Sequence, residues 1–316
     1  MKKQVSIIGG SGFIGSYITR RFLDVGYEVK IAVTDQSKKD KFQHILDMGP
    51  VEVVECDVRE YDSVIRFLEG THNLVHTGTP FFLGAEVEQE EMIIPTVNGT
   101  KNVIKACQSA PDLQKLIIIA SIVAINGHIP MMFYDPVKGE DHVFTEGDST
   151  VSLKSHDPYC RAKYQADQLV RKFVNENPQL SFEIVSLYPG FVIGPPLSDR
   201  PDCTSSHLLY AFKNKMIENP SIKPFFDQDT EFAMVAVKDV AEATYKSVVT
   251  PNLHREKFFI SNETWRVSDI HRMLNGENPR GKKWVMYSNN KAIKELGLQF
   301  RPAFEPLTEY LEMATV

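Results

Sequence analysis

Tyr159-Cys160-Arg161-Ala162-Lys163 is the stretch of this 316-residue chain best equipped for proton chemistry. Tyr159 and Lys163 are four apart, a spacing that sets both on one face of a helix. An unperturbed tyrosine titrates at about pH 10 and is a poor acid–base group at neutral pH. A nearby ammonium stabilises the phenolate and brings that value down. The pair can then give or take a proton on a substrate oxygen. Alone the spacing is common, and a solvated surface pair is the competing reading.

A second stretch gives the pair something to work with. An apolar run, Val5 to Ile8, is followed by Gly9-Gly10-Ser11-Gly12-Phe13-Ile14-Gly15 and then by a helical pattern through Tyr17, Ile18 and Phe22. Strand, glycine turn and helix in that order form the opening of a dinucleotide-binding unit. Gly9 allows the tight turn, Gly12 lets backbone approach a pyrophosphate, and Gly15 lets the helix pack on the strand. The phosphates would lie at the helix N-terminus, where free N–H groups and the helix dipole attract anions. With a nicotinamide nucleotide there, Tyr159 would move its proton while hydride moves at the adjacent carbon, and Lys163 would reach the ribose hydroxyls.

The elements between the two motifs alternate. Strands are expected over 27–33, Val51 to Glu55, Asn73 to His76, Lys115 to Ile119 and Ser181 to Leu187. Helices are expected from about Tyr61, over Glu88 to Ser109 and over Pro158 to Asn175. Alternation without an internal repeat predicts a parallel, doubly wound α/β sheet. Three strand ends carry candidate binding groups. After the second strand, Asp35 suits a ribose 2′-OH, while Lys38, Lys39 and Lys41 suit a 2′-phosphate. Asp57, after the third, either accepts from an adenine amino group or caps the next helix. Thr77-Gly78-Thr79, after the fourth, is small enough for close approach, and His76 beside it reads as a packed structural histidine more readily than as an acid–base group. Beyond Leu187 prolines and glycines crowd the sequence, with helices expected near Ser205 to Glu218 and Val237 to Val249. The expected organisation is a dinucleotide-binding domain over 1–188 and a mainly substrate-binding region over 189–316, some segments of which return to the first domain.

Composition narrows the setting. A formal net charge of −6 argues against a nucleic-acid partner. Cys56, Cys107, Cys160 and Cys203 are far apart, without CxxC pairing, which favours free thiols over disulfides or a metal site. The longest apolar run, Leu116 to Ile125, is too short to span a bilayer, and no signal peptide is evident. The expectation is a cytoplasmic protein with no membrane contact, no metal and a small-molecule substrate.

The glycine turn and the Tyr–Lys helix together resemble the extended short-chain dehydrogenase/reductases, the superfamily of nucleotide-sugar epimerases and dehydratases. Further stretches, His76 to Pro80, Pro95 to Val103, Tyr188 to Pro195 and Val237 to Ala241, are similar to its dihydroflavonol reductase, cinnamoyl-CoA reductase and aldehyde reductase branch. The resemblance implies a Rossmann-type fold. It makes Tyr159 the proton donor, and Lys163 the group that tunes it and holds ribose. It sets Gly9, Gly12, Phe13, Ile14 and Gly15 around the pyrophosphate, Asp57 and Val58 at adenine, and Thr77, Gly78 and Thr79 along the cofactor. Pro189, Gly190 and Val192 would lie near the nicotinamide.

Departures from the branch matter. Its catalytic serine falls on Ser121 with a one-residue deletion and on Ile122 without one. Ser121 is favoured, as the hydroxyl that can donate to a carbonyl gaining charge. Thr34 stands where the branch often has Arg for the 2′-phosphate, while Lys41 matches its second basic position. NADP(H) is favoured, with NAD(H) as the alternative. Thr96 stands where many extended members have Asn. The implied activity is reduction of an aldehyde or ketone by a monomer or homodimer. A nucleotide-sugar epimerase or dehydratase and a non-catalytic dinucleotide sensor are the competing readings. The substrate walls would come from Phe81, Phe82, Met131, Met132, Phe133 and Tyr134.

Overall fold

The computed structural model describes residues 3–77, 89–126, 142–148, 158–199 and 203–313. Its first half alternates as expected: β1 (Gln4–Ile8), α1 (Phe13–Asp24), β2 (Glu28–Val33), α2 (Gln43–Leu46), β3 (Val51–Glu55), α3 (Tyr61–Leu68), β4 (Asn73–His76) and α4 (Gln89–Cys107). β5 (Lys115–Ile119), the short α5 (Val123–Asn126), α6 (Pro158–Glu176) and β6 (Glu183–Pro189) follow. These strands and β9 (Lys257–Ile260) form one parallel sheet in the order β3-β2-β1-β4-β5-β6-β9. The order reverses between β1 and β4, and in such sheets the crevice outside the strands' carboxyl ends at that reversal is the binding position.

The sheet is covered on both faces, so apolar residues on both sides of each strand are buried, successive residues pointing to opposite sides. In β5, Ile117 and Ile119 join Ile18 and Phe22 of α1 in one core, while Leu116 and Ile118 join Val64, Phe67, Val103 and Val170 in the other. Register carries this parity across the sheet. Ile8 pairs with His76, His76 with Ile118, Ile118 with Ser186 and Ser186 with Lys257, a row on the face that α6 covers.

The second half is more regular than its prolines suggest. β7 (Phe191–Ile193), α7 (Thr204–Lys213), α8 (Lys223–Asp227), β8 (Glu231–Ala236) and α9 (Val237–Val249) lead into β9, and β10 (Glu263–Arg266) follows it. β10, β8 and β7 make a small sheet, which buries Phe232 and Trp265 with Leu209 and Phe212 of α7 and with α10 (Val267–Leu274) and α12 (Phe304–Met313). α11 (Asn290–Leu296) packs near β9. The helix expected to reach Glu218 stops at Lys213, because Lys215 takes a left-handed backbone (φ 48°) that ends the run. The sixth strand runs on to Pro189 because β9 continues to pair with it, out to Pro189 and Ile260.

Two glycines of the opening turn are fixed by the protein's own geometry. Gly9 has φ 81°, a left-handed conformation that disfavours any Cβ. A Cβ on Gly15 would lie 2.0 Å from the Gly9 carbonyl oxygen. Gly15→Ala therefore forces α1 off β1, and its urea unfolding midpoint should fall by the equivalent of about 3 kcal/mol. An unchanged midpoint would show that the turn can relax around a methyl.

Candidate active site

α6 presents its first turns to the carboxyl end of β5. Tyr159 lies in the first turn and is half-buried, and Lys163 one turn on is buried. The Lys163 Nζ sits 6.0 Å from the Tyr159 ring centroid and donates to the Ile119 carbonyl at 3.5 Å. Burial brings the Lys163 pKa down to about 8, because the ammonium has left water for the underside of a helix. The expected pair thus exists as a near-surface phenol over a desolvated ammonium. His76 ends β4 on the same face. It is buried, its Nδ1 has no hydrogen-bond partner among the described residues, and burial with the Lys163 charge lowers its pKa to about 4.

The stretch after β5 separates Ser121 from Ile122. Ile122 is 3 % exposed and packs among Val123, Ile125, Phe144 and Tyr188. Its side chain belongs to a core. Ser121 is also buried, and its Oγ accepts from the Val123 N–H at 3.3 Å, where the chain turns into α5. Ser121 therefore holds the turn and supplies the hydroxyl of this stretch.

At the other end of the crevice, Gly12 opens α1 with no side-chain cap and no acid in the first turn. Among the described residues, a Cβ on Gly12 would meet nothing closer than the Gly9 carbonyl oxygen at 3.4 Å. The protein itself does not demand this glycine, and the space over it is a cradle that a side chain would begin to fill. Phe13 and Ile14 start α1 and pack against the core beneath. Thr77 ties β4 to β1, its N–H and its Oγ1 both donating to the Ile8 carbonyl at 3.0 Å.

Two carboxylates expected to read the nucleotide are engaged within the protein. Asp57 accepts from the Arg59 backbone N–H at 2.9 Å and pairs with the Arg59 guanidinium at 2.5 Å, which lowers its pKa. It caps no helix; the residue preceding α3 is Glu60, which makes no side-chain cap. Asp35 accepts from the Ser37 N–H at 2.9 Å and from the Ser37 hydroxyl, and it pairs with Lys38 at 3.3 Å. Thr34 and Lys41 are exposed. Sequence reading passed over Asn102, whose amide donates to the carbonyls of Val58 and Arg59 at 2.9 and 3.0 Å and so fixes the loop after β3 to α4. Only a contact across 44 residues could have shown it.

Of the residues expected near the nicotinamide, Pro189 ends β6, and Val192 is buried in the core. Gly190 has a reason of its own, since a Cβ there would come within 2.2 Å of the Ala233 carbonyl in β8. Gly78, Thr79, Phe81, Phe82 and Met131 to Tyr134 lie outside the described residues. Also missed was the group beneath α6. Asp167, one turn past Lys163, accepts from Tyr188 at 2.5 Å and pairs with Arg171 at 2.6 Å. Among the described residues no cluster of His, Cys, Asp and Glu could hold a metal, and no helix is long and apolar enough to cross a membrane.

A doubly wound parallel sheet with a glycine turn at its topological reversal defines a dinucleotide-binding α/β enzyme fold. Residues 5–260 match the family model described as the NAD dependent epimerase/dehydratase family, and the chain belongs to that family. It is 29% identical to the cinnamoyl-CoA reductase CAD2 of Medicago truncatula, over 98% of this chain and 94% of that one. It is also 29% identical to a bifunctional dihydroflavonol 4-reductase/flavanone 4-reductase of Malus domestica, over 61% of this chain and 55% of the relative. In fold it is similar to the yeast methylglyoxal/isovaleraldehyde reductase Gre2 complexed with NADPH, with a TM-score of 0.81, 20% identity and 99% of both chains covered.

The contrast between Gly12 and Gly15 is testable. Gly12→Ala should leave the unfolding midpoint unchanged while weakening dinucleotide binding, measured by fluorescence titration, about tenfold or more. Unaltered binding would mean that the pyrophosphate does not approach Gly12.

Proposed function

We propose that the protein is an NADPH-dependent reductase of an aldehyde or ketone with an apolar or aromatic body. The observation that carries this reading is the half-buried Tyr159 one helical turn before the desolvated ammonium of Lys163, at the carboxyl end of β5. The names of the relatives, which reduce carbonyl and flavonoid compounds, and the NADPH of the Gre2 complex support it.

Gly9, Gly12 and the first turn of α1 would hold the pyrophosphate, and Lys163 would hold the nicotinamide ribose. Lys41 and the lysines beside it would favour the 2′-phosphate. Asp35, which would suit a 2′-OH, is turned to Ser37 and Lys38 instead. NADPH, when bound, supplies the hydride. Tyr159 donates its proton to the substrate oxygen, and Lys163 stabilises the phenolate left behind. Ser121 donates to the same oxygen as it gains charge. A dehydratase would ask for further acid–base groups beside Ser121, where Ile122 and Val123 are buried apolar residues.

The reading is tested by assaying NADPH and NADH oxidation with aliphatic and aromatic aldehydes and ketones. Tyr159→Phe should lower kcat by at least about 100-fold with dinucleotide affinity retained. Turnover that survives the change would overturn the mechanism. The pH profile is a second check. Reduction needs Tyr159 protonated and Lys163 charged, and both conditions fail as pH rises. Because kcat/KM reports groups of the free enzyme, it should fall above about pH 8, where Lys163 loses its proton. A level profile well into the alkaline range would mean that Lys163 is not needed as a cation.

A further inference from the structure

The row His76, Ile118, Ser186 lies beneath α6, and the helix does not fill the space above it. A cavity of about 20 Å³ remains, lined by His76, Thr100, Lys163, Asp167 and Ser186 together with the end of β5. That is room for one water, and a buried water needs two to four polar partners. Asp167 already accepts from Tyr188 and Arg171, one on each oxygen. Thr100 already donates to the Thr96 carbonyl at 2.8 Å. The His76 Nδ1 is buried with no partner among the described residues, and such an orphan is costly unless something unseen satisfies it.

We propose that this cavity is a site for one water, which accepts from the Lys163 ammonium and donates to the His76 Nδ1, and that His76 is thereby a positioning residue for Lys163. The arrangement requires an imidazole that is neutral and accepts at Nδ1. Burial and the charge of Lys163 keep it so, since both disfavour the imidazolium. Among the described residues the titratable groups lining the cavity are His76 of β4 and Lys163 and Asp167 of α6; Arg171 of α6, Tyr188 of β6 and Lys257 of β9 act on Asp167, and Tyr159 lies one turn before Lys163. The bridge replaces part of the hydration that burial takes from the ammonium, so it holds Lys163 in its charged form and fixes the place of Nζ. The functional weight of this role rests on the reductase reading, but the water and its effect on Lys163 do not.

The test uses two variants and a measurement independent of turnover. His76→Leu removes the acceptor, and His76→Asn keeps a polar atom close to the position of Nδ1. Lys163 is titrated by NMR in the cofactor-free protein, with Lys163→Met to assign its signal. His76→Leu should lower the Lys163 pKa by about one unit, the scale of a lost hydrogen bond to a charged group, and His76→Asn should restore most of it. The alkaline limb of kcat/KM should move to lower pH by the same amount in His76→Leu. A folded His76→Leu protein with an unmoved Lys163 titration overturns the proposal. Should that variant not fold, a high-resolution crystal structure of the wild type decides. A water within hydrogen-bond distance of both Nζ and Nδ1 supports the bridge, and a dry cavity ends it. Loss of the reductase reading through an active Tyr159→Phe would leave these two readouts intact.

Discussion

A parallel sheet with helices on both faces keeps water out everywhere except at its rims. That constraint governs this protein. The side chains of β1, β4 and β5 are buried, and apolar residues make up most of them. The carboxyl ends of the strands carry the Gly9 to Gly15 turn, Thr77 and Ser121, with the opening of α6 beside them. The polar exceptions below the rim each answer to a specific partner. Ser6 bonds with Thr71 at 2.9 Å, and Lys115 reaches the carbonyls of Ser247 and Thr250. Lys163 and His76 lie at the border between the two regimes, close enough to the rim to act there and deep enough to be desolvated.

Desolvation is what separates this Tyr–Lys pair from the surface pairs that the same spacing usually makes. An exposed lysine would be screened by water and would act weakly on a phenol several ångströms away. Under α6 the ammonium has lost much of that screening, and its charge acts on whatever lies near it, His76 included. The nucleotide end shows the opposite economy. Asp35 and Asp57 remain at the surface and are neutralised by Lys38 and Arg59. The crevice thus meets a polyanion with its carboxylates already answered.

Much of this was legible in the sequence wherever a pattern was local. The strands Val51–Glu55, Asn73–His76 and Lys115–Ile119 and the helix Val237–Val249 match their expected bounds, because each is set by its own apolar run and its own flanking residues. The glycine turn and the Tyr–Lys helix were legible for the same reason. What escaped depends on contacts between distant segments. β7 is three residues long and set among prolines and glycines, and its pairing to β8 and that of β8 to β10 join segments distant in sequence, so nothing local marks them as a sheet. The glycine at 190 is dictated by a carbonyl in β8, and the value of Asn102 lies in two carbonyls beyond β3. That Ile122 packs in a core with Phe144 and Tyr188 could not be read locally either, since those residues are far away in sequence.

The place of β9 bears on how the chain comes to be folded. Five of the six strands before it in the sheet are made in the first 119 residues, and β6 is complete at Pro189. β9 arrives only at Lys257, after the strands β7 and β8 and the helix α9 have been made. During synthesis from the N-terminus, the outer edge of β6 therefore waits with its amide and carbonyl groups unpaired for nearly seventy residues. An open edge of this kind is a template for strands from other chains. The Ser186 N–H bond to Glu256 and the Gly190 N–H bond to Ile260 close it at both ends. The last strand of the large sheet thus covers the edge that β6 leaves open, and the finished sheet ends on β3 and β9.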